Sequence, residues 1–224
     1  MTEPLPVPSR DPAAAPADDP AARKAMWRTR LLAARRAVAP ADAAVAAEAA
    51  RDHLLAALPP APDAVVAGYW PMRGELDPRP VLTALRARGH PVALPVTPPP
   101  GAAPVLEFRL WDGDPAGLAA GPFKTRQPPV TAPAATPTWI VAPLLGFDRR
   151  GTRLGYGGGY YDRHLSGAGV VAIGYAFACQ EVPLAAGGLP VEPHDIPLAA
   201  VVTETEVIRP QQTLADPGVT GGPD

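Results

Sequence analysis

One stretch of the chain concentrates residue types that can do chemistry: Phe147-Asp148-Arg149-Arg150-Gly151-Thr152-Arg153-Leu154-Gly155-Tyr156-Gly157-Gly158-Gly159-Tyr160-Tyr161-Asp162-Arg163. Gly155, Gly157, Gly158 and Gly159 allow positive φ and can expose successive backbone N–H groups, which suits a cradle for phosphate oxygens. Tyr161, Asp162 and Leu165 fit the start of a helix, whose N-terminus adds dipole attraction for an anion. Arg153 brings a permanent charge on a fork that matches phosphate. Asp162, one turn into that helix, faces the same place. A carboxylate beside bound phosphates is repelled unless a cation intervenes, so Asp162 is a candidate Mg²⁺ ligand. The glycines alone are also compatible with a flexible surface turn. The interleaved Tyr, Arg and Asp count against that reading, since a spacer has no need of them.

Known nucleotide loops do not fit. G-K-[ST] is absent, so this is not a P-loop, and the dinucleotide pattern fails because Tyr160 stands at its third glycine. The stretch also begins a dozen residues after its strand rather than directly on it. Other chemistries are poorly supplied. Cys179 is the only cysteine, so an internal disulfide or a Cys-rich zinc site is excluded. His53, His90, His164 and His194 have no dense ligand spacing, and neither Ser9 nor Ser166 lies in G-x-S-x-G. The net charge of −2 lacks the basic excess usual for a nucleic-acid binder. The longest apolar strand-like run, 170–179, falls far short of a membrane span. Glu3, Asp11 and several prolines stand where a signal peptide needs an apolar stretch. The expectation is a cytoplasmic protein with small-molecule partners, with no nucleic acid, membrane or obligate protein partner.

The elements that position these residues follow from periodicity. Pro and Gly together make about a quarter of the 224 residues, near where low-complexity disorder becomes a candidate, yet 47% of residues are hydrophobic and much of the chain should fold. Residues 1–20 and 210–224 read as disordered tails around a single domain at 21–209. Residues 21–38 read as a helix, with Met26, Trp27, Leu31 and Ala34 on one side and Arg28, Arg35 and Arg36 opposite. Pro40 breaks the pattern, and a second, Ala-rich helix runs over 42–58. Strands are expected at 64–69, 91–96, 106–111, 139–142, 170–175 and 200–203, with a helix at 78–88. Residues 112–138 form a long Pro/Gly-rich connection. Strands alternating with helices imply an α/β fold with a mainly parallel sheet flanked by helices.

The run R-L-G-Y-G-G-G-Y-Y-D-R, preceded by P-L-L-G-F-D-R-R-G, resembles the signature of the 5-formyltetrahydrofolate cyclo-ligase (methenyltetrahydrofolate synthetase) family. The resemblance extends along most of 22–207 and includes Lys24-x-x-x-Arg28, the segment from Tyr69 to Asp77, and Glu192-Pro-His-Asp195. It implies an α/β fold similar to the sugar-phosphate isomerase and CoA-transferase group. It also implies an activity: ATP- and Mg²⁺-dependent closure of 5-formyltetrahydrofolate to 5,10-methenyltetrahydrofolate, with release of ADP and phosphate. The formyl oxygen takes the γ-phosphoryl group and N10 then attacks that carbon. Such a transfer needs mostly positioning and charge neutralisation.

Carried over residue by residue, the resemblance implies that Lys24, Arg28, Arg153, Leu154, Gly155, Tyr156, Gly157, Gly158, Gly159, Tyr160 and Tyr161 contact ATP. Arg28, Trp70, Glu75 and the run Tyr156–Tyr160 would meet the folate, Arg153 and Tyr160 would act in catalysis, and Asp162 and Asp195 would hold Mg²⁺. Read without the family, Lys24 and Arg28 are better taken as a solvated helix face. Without the family Asp195 is better taken as an Asx-turn cap before Ile196, and Glu75 is equally a surface charge paired with Arg73 or Arg79. His194 reads as structural and Cys179 as a small packing residue. Lys124 stands where the family pattern leads one to expect a further glycine, in a loop that could close over the substrate. Two other functions compete: a non-catalytic folate- or nucleotide-binding protein on the same fold, and a sugar-phosphate isomerase on a related one. Neither needs the combination of Lys24, Glu75, Arg153 and Asp162.

Overall fold

Asp19 opens the first helix by accepting a hydrogen bond from the Ala21 amide at 2.9 Å, and Pro20 follows at the position where a missing N–H costs nothing. The computed structural model describes residues 19–99, 101–165, 169–193 and 195–210. Of the tails expected at 1–20 and 210–224, all but Asp19, Pro20 and Pro210 lie outside the described residues, as does His194; Asp19 and Pro20 belong to the first helix and its cap.

The helices are α1 (Pro20–Arg36), α2 (Pro40–Ala57), α3 (Arg79–Ala87) and α4 (Tyr160–Leu165). Pro40, expected to break a helix, instead starts α2 at its first turn. The strands are β1 (Val66–Ala67), β2 (Val92–Val96), β3 (Glu107–Leu110), β4 (Ala119–Ala120), β5 (Arg126–Gln127), β6 (Ala134–Ala135), β7 (Trp139–Pro143), β8 (Gly146–Phe147), β9 (Arg153–Leu154), β10 (Val171–Tyr175), β11 (Ala200–Val202) and β12 (Val207–Ile208). The 112–138 connection therefore contains three short strands: β4 and β5 pair with each other, and β6 joins the main sheet. None of the three announces itself by alternation, because each is two residues long.

The main sheet has the order β12-β11-β10-β7-β1-β2-β3-β6. Its centre, β11-β10-β7-β1-β2, is parallel, and β12, β3 and β6 are added toward the edges by antiparallel pairing. This is the expected α/β sheet with antiparallel borders added. From β1 the chain steps to β2 on one side, and later returns to β7 on the other. The order therefore reverses between β1 and β7, and ligands of open α/β sheets bind beyond the carboxyl ends of strands at such a reversal.

Alternation along the strands divides the core between two faces. Val66, Val141 and Ile173 pack with Ala46, Ala50 and Leu54 of α2 and Val81, Leu82 and Leu85 of α3. Ala67, Ile140 and Ala172 pack on the opposite face with Phe108, Leu144 and Leu165 of α4. Each fully buried Leu or Val here contributes about 1.5–3 kcal/mol over its exposed state. A third, smaller cluster joins Leu31 of α1 to Leu154, Val182 and Leu189, and so fastens α1 against the segment that carries the glycines. Among the described residues no helix is long and apolar enough to cross a membrane.

Candidate functional site

A cavity of about 1030 Å³ opens beyond the carboxyl ends of the parallel strands, where Tyr69 and Trp70 follow β1, Pro95 and Thr97 end β2, and Pro143 ends β7. That volume is at the upper end for a ligand site, typically about 300–1,000 Å³. Every candidate named from the sequence lines it: Lys24 and Arg28 from α1, Trp70 and Glu75 from the segment after β1, Arg153 through Tyr161 from β9, the loop and α4, and the carboxylates Asp162 and Asp195.

On α1 a stripe at four-, three- and four-residue steps faces inward: Lys24, Arg28, Leu31 and Arg35. Three of the four are cations, so this helix turns a charged face into the protein. The Lys24 side chain is only 9% exposed, and its Nζ lies 2.6 Å from Glu192 Oε2 and 2.8 Å from Asp195 Oδ2. That corrects the solvated-face reading. Burial pulls the ammonium pKa down, but the hydrogen bonds and charges of Asp195 and Glu192 outweigh it, and the net direction is up. Asp195 also accepts from the Glu192 amide at 2.9 Å, a turn contact that runs backward in sequence rather than forward to Ile196. Arg28 Nε donates to the Gly155 carbonyl at 3.0 Å and pins the start of the glycine loop.

The loop itself rests on the β8–β9 hairpin. Asp148, fully buried, closes the turn by accepting from the amides of Arg150 (3.0 Å), Thr152 (3.3 Å) and Leu189 (3.0 Å) and from Arg150 Nη2 (2.6 Å). Burial would push its carboxyl up, but these donors and the Arg150 charge hold it below the usual range. Two of the four glycines adopt positive φ, Gly157 at 94° and Gly159 at 67°. Gly155 and Gly158 do not. For them the limit is space: a Cβ at Gly158 would stand 2.7 Å from the Tyr160 ring, and one at Gly155 would stand 3.1 Å from Arg153 Nη1. The helix that follows is a single six-residue turn and a half, α4, so its dipole adds less than a full helix would.

Arg153 is the best enclosed cation of the wall. Its guanidinium pairs with Asp162, reaches the Pro143 carbonyl at 3.4 Å, and lies 5.8 Å from the Tyr161 ring centre. Its Nε has no hydrogen-bond partner. Burial raises the Tyr161 phenol, with Glu75 adding to the shift and Arg153 opposing it, so Tyr161 is a neutral group.

Opposite stands a different wall. Glu75 is buried: its Oε2 accepts from the Met72 amide at 3.0 Å and its Oε1 from the Tyr156 hydroxyl at 3.0 Å. It is not the surface partner of Arg79, which pairs with Asp77 at 2.5 Å and lies 5.0 Å from the Trp70 ring centre. Arg126 lies 5.8 Å from that ring and Trp111 meets it edge-on at 6.2 Å. Gly155 and Tyr156 thus link the walls, one held by Arg28 and the other by Glu75.

Several residues were not visible in the sequence. Arg35, placed there on the solvent side, is among the most buried side chains of the protein. Its signal was present, because it continues the 24, 28, 31 stripe by four. Phe123 and Lys124 both have positive φ (58° and 64°), and Phe123, Thr125 and Arg126 reach the cavity, so the Ala119–Gln127 hairpin forms part of its mouth. The glycine expected near Lys124 is missing, yet the backbone keeps glycine-like geometry there. Cys179 is exposed rather than packed.

For a divalent cation, the donors on the wall are hard carboxylate oxygens. The described residues hold no group of three or more His, Cys, Asp or Glu placed to hold a metal unaided. Mg²⁺ characteristically uses one or two carboxylates together with substrate phosphates, and Asp162 and Asp195 fit that shared kind of site.

Similarity to known proteins identifies the family. The sequence model of the 5-formyltetrahydrofolate cyclo-ligase family matches residues 20–204. The chain is similar to the 5-formyltetrahydrofolate cyclo-ligase of Mycolicibacterium smegmatis, 34% identical over 184 residues, covering 80% of this chain and 93% of that one. It is 36% identical over 149 residues to the Escherichia coli K12 enzyme of that name, covering 63% of this chain and 79% of the relative. The NMR structure of Aquifex aeolicus 5,10-methenyltetrahydrofolate synthetase superposes with a TM-score of 0.69 at 28% identity, over 84% of this chain and 93% of that one. Family model, relative and fold agree with one another, and the chain belongs to the 5-formyltetrahydrofolate cyclo-ligase family.

Proposed function

We propose that the cavity closes 5-formyltetrahydrofolate to 5,10-methenyltetrahydrofolate with consumption of ATP. The observation that carries this reading is one continuous cavity with a cationic, glycine-lined wall facing an aromatic and carboxylate wall. The first suits a polyphosphate; the second suits a flat ring bearing N–H donors.

Lys24, Arg28, Arg153 and the Leu154–Tyr161 run hold ATP, with the Arg153 guanidinium placed to neutralise charge on the transferring phosphoryl group. Arg28, Trp70, Glu75 and the Tyr156–Tyr160 run hold the folate, Trp70 by stacking and Glu75 by accepting ring N–H groups. The formyl oxygen bonds to the γ-phosphorus as the bond to ADP breaks, which turns a poor leaving group into a good one. N10 then bonds to the formyl carbon, loses its proton, and phosphate departs. Tyr160, between the loop and α4, orients the reacting formyl group. Asp162 and Asp195 would hold Mg²⁺, which when bound supplies charge neutralisation for the phosphates. Both carboxylates now face cations, Arg153 and Lys24, so those pairs loosen when nucleotide and metal arrive. We place the reaction in the cytoplasm, in keeping with a chain that has one thiol.

The test is direct. Purified protein with 5-formyltetrahydrofolate, ATP and Mg²⁺ should yield methenyl absorbance and ADP in equal amounts. No product at micromolar enzyme overturns the proposal.

A further inference from the structure

Arg35 lies behind the cavity wall, yet it touches two of the segments that build it, the turn of Arg73 and Glu75 and the glycine loop. From α1, its Nη2 donates to the Arg73 carbonyl at 3.0 Å and to the Tyr156 hydroxyl oxygen. Its Nη1 lies 3.9 Å from Glu75 Oε1, and its guanidinium carbon lies 5.6 Å from the Tyr156 ring centre. Because the Tyr156 oxygen accepts from Arg35, its single proton is left for Glu75 Oε1, 3.0 Å away. Each Glu75 oxygen then takes one protein donor, Tyr156 O–H or Met72 N–H. A carboxylate offers about four lone-pair sites, so acceptor capacity remains on the side facing the cavity.

A merely structural pin would not be built this way. Nε and Nη1 of Arg35 have no hydrogen-bond partner although the side chain is fully enclosed. An apolar residue of similar volume would fill that space at lower cost. The enclosed charge has an anion beside it, Glu75, to account for it.

We propose that Arg35 is a positioning residue of this site: it directs the Tyr156 proton onto Glu75 and keeps Glu75 an anion that accepts N–H donors of the substrate ring. This inference rests on the folate reading of the cavity. Burial pushes the Glu75 carboxyl up, toward the neutral form in which one oxygen becomes a donor and opposes the ring N–H groups. The groups that oppose this are the Met72 amide, Arg35 from α1, Tyr156 from the glycine loop and Arg73 from Glu75's own turn. Tyr69, after β1, and Tyr161, on α4, face the same carboxylate as neutral phenols raised by burial.

The experiment compares wild type, Arg35→Met, Arg35→Lys and Tyr156→Phe by steady-state kinetics across acidic to neutral pH, with a thermal melt for each. Arg35→Met should raise KM for 5-formyltetrahydrofolate by on the order of tenfold while KM for ATP stays within about twofold of wild type. It should also move the acidic limb of kcat/KM to higher pH. Arg35→Lys keeps the charge without the fork, so it should restore the limb and only part of KM. Tyr156→Phe should move the limb upward too, and adding it to Arg35→Met should bring little further loss. Folded variants with the wild-type folate KM and an unmoved limb overturn the inference, whatever their melting temperatures. If Arg35→Met does not fold, Tyr156→Phe decides, and an unmoved limb overturns it. Wild type that makes no methenyl product overturns the functional reading and this inference with it. An active wild type with unchanged variants overturns the inference alone.

Discussion

Lys24 and Asp195 stand 171 positions apart in the chain and 2.8 Å apart in space. Their contact fastens the first helix to the last loop of the cavity, and Glu192 shares the same ammonium. Lys24→Met removes the cation from between two carboxylates that then repel each other. The expected result is an ATP KM raised by on the order of tenfold with folate KM close to wild type. Initial rates at varied ATP and fixed folate check it, and an unchanged ATP KM counts against a nucleotide role for Lys24.

Asp162 distinguishes a metal ligand from a structural partner only if the right substitution is used. Its carboxylate pairs with Arg153, whose side chain is 5% exposed and already carries an unpartnered Nε. Asp162→Ala would strand that guanidinium and cost about 1–3 kcal/mol, although an exposed carboxylate would have been dispensable. Asp162→Asn keeps an acceptor for Arg153 and removes the charge. It should melt near wild type, lose most activity, and require much more Mg²⁺ for half-maximal rate in a metal titration. An Asn variant with an unchanged Mg²⁺ requirement removes Asp162 from the ion's shell.

The pH dependence of stability follows from Asp148. Its folded pKa is lowered, so its contribution is fully present above the unfolded value near 3.8 and is lost as pH falls through the still lower folded value. Wild type should therefore lose stability on acidification below about pH 4. Asp148→Asn, less stable at neutral pH by about 1–3 kcal/mol, should lose less over that window. Urea melts across the acidic range make the comparison; parallel slopes for the two proteins refute it.

Gly159 isolates a backbone requirement. Nothing lies within 4 Å of a Cβ placed there, while its φ is 67°. Any loss in Gly159→Ala is then conformational, and Gly159→Asn should lose less, since asparagine visits this region more readily. ATP KM is the readout. Equal losses in both variants would show that side-chain bulk, not φ, sets the limit.

The glycine run, the strand-helix alternation and Asp162 were legible in the sequence, because each depends on short-range spacing; Glu75 and Asp195 entered only through the family resemblance, since spacing alone leaves one a surface charge and the other a turn cap. Arg35 was not: hydrophobic periodicity assigns every charge to solvent, and here the inward stripe of α1 is mostly cationic. The edge strand β6 and the β4–β5 hairpin were hidden by their two-residue length among prolines and glycines. Asp148 read as one more residue of the signature, since its partner at Leu189 lies 41 positions away.

That cationic stripe has a consequence for how the protein is made. Arg35 waits for a carbonyl 38 positions downstream, Arg28 for one 127 downstream, and Lys24 for a carboxylate 171 downstream. A helix whose inward face is charged gains little from early collapse onto apolar neighbours. During synthesis α1 therefore emerges ahead of these partners, and its polar contacts can be completed only after β9 and the 192–195 loop have followed. For this helix, the contacts that complete the cavity are the same long-range contacts that complete its docking.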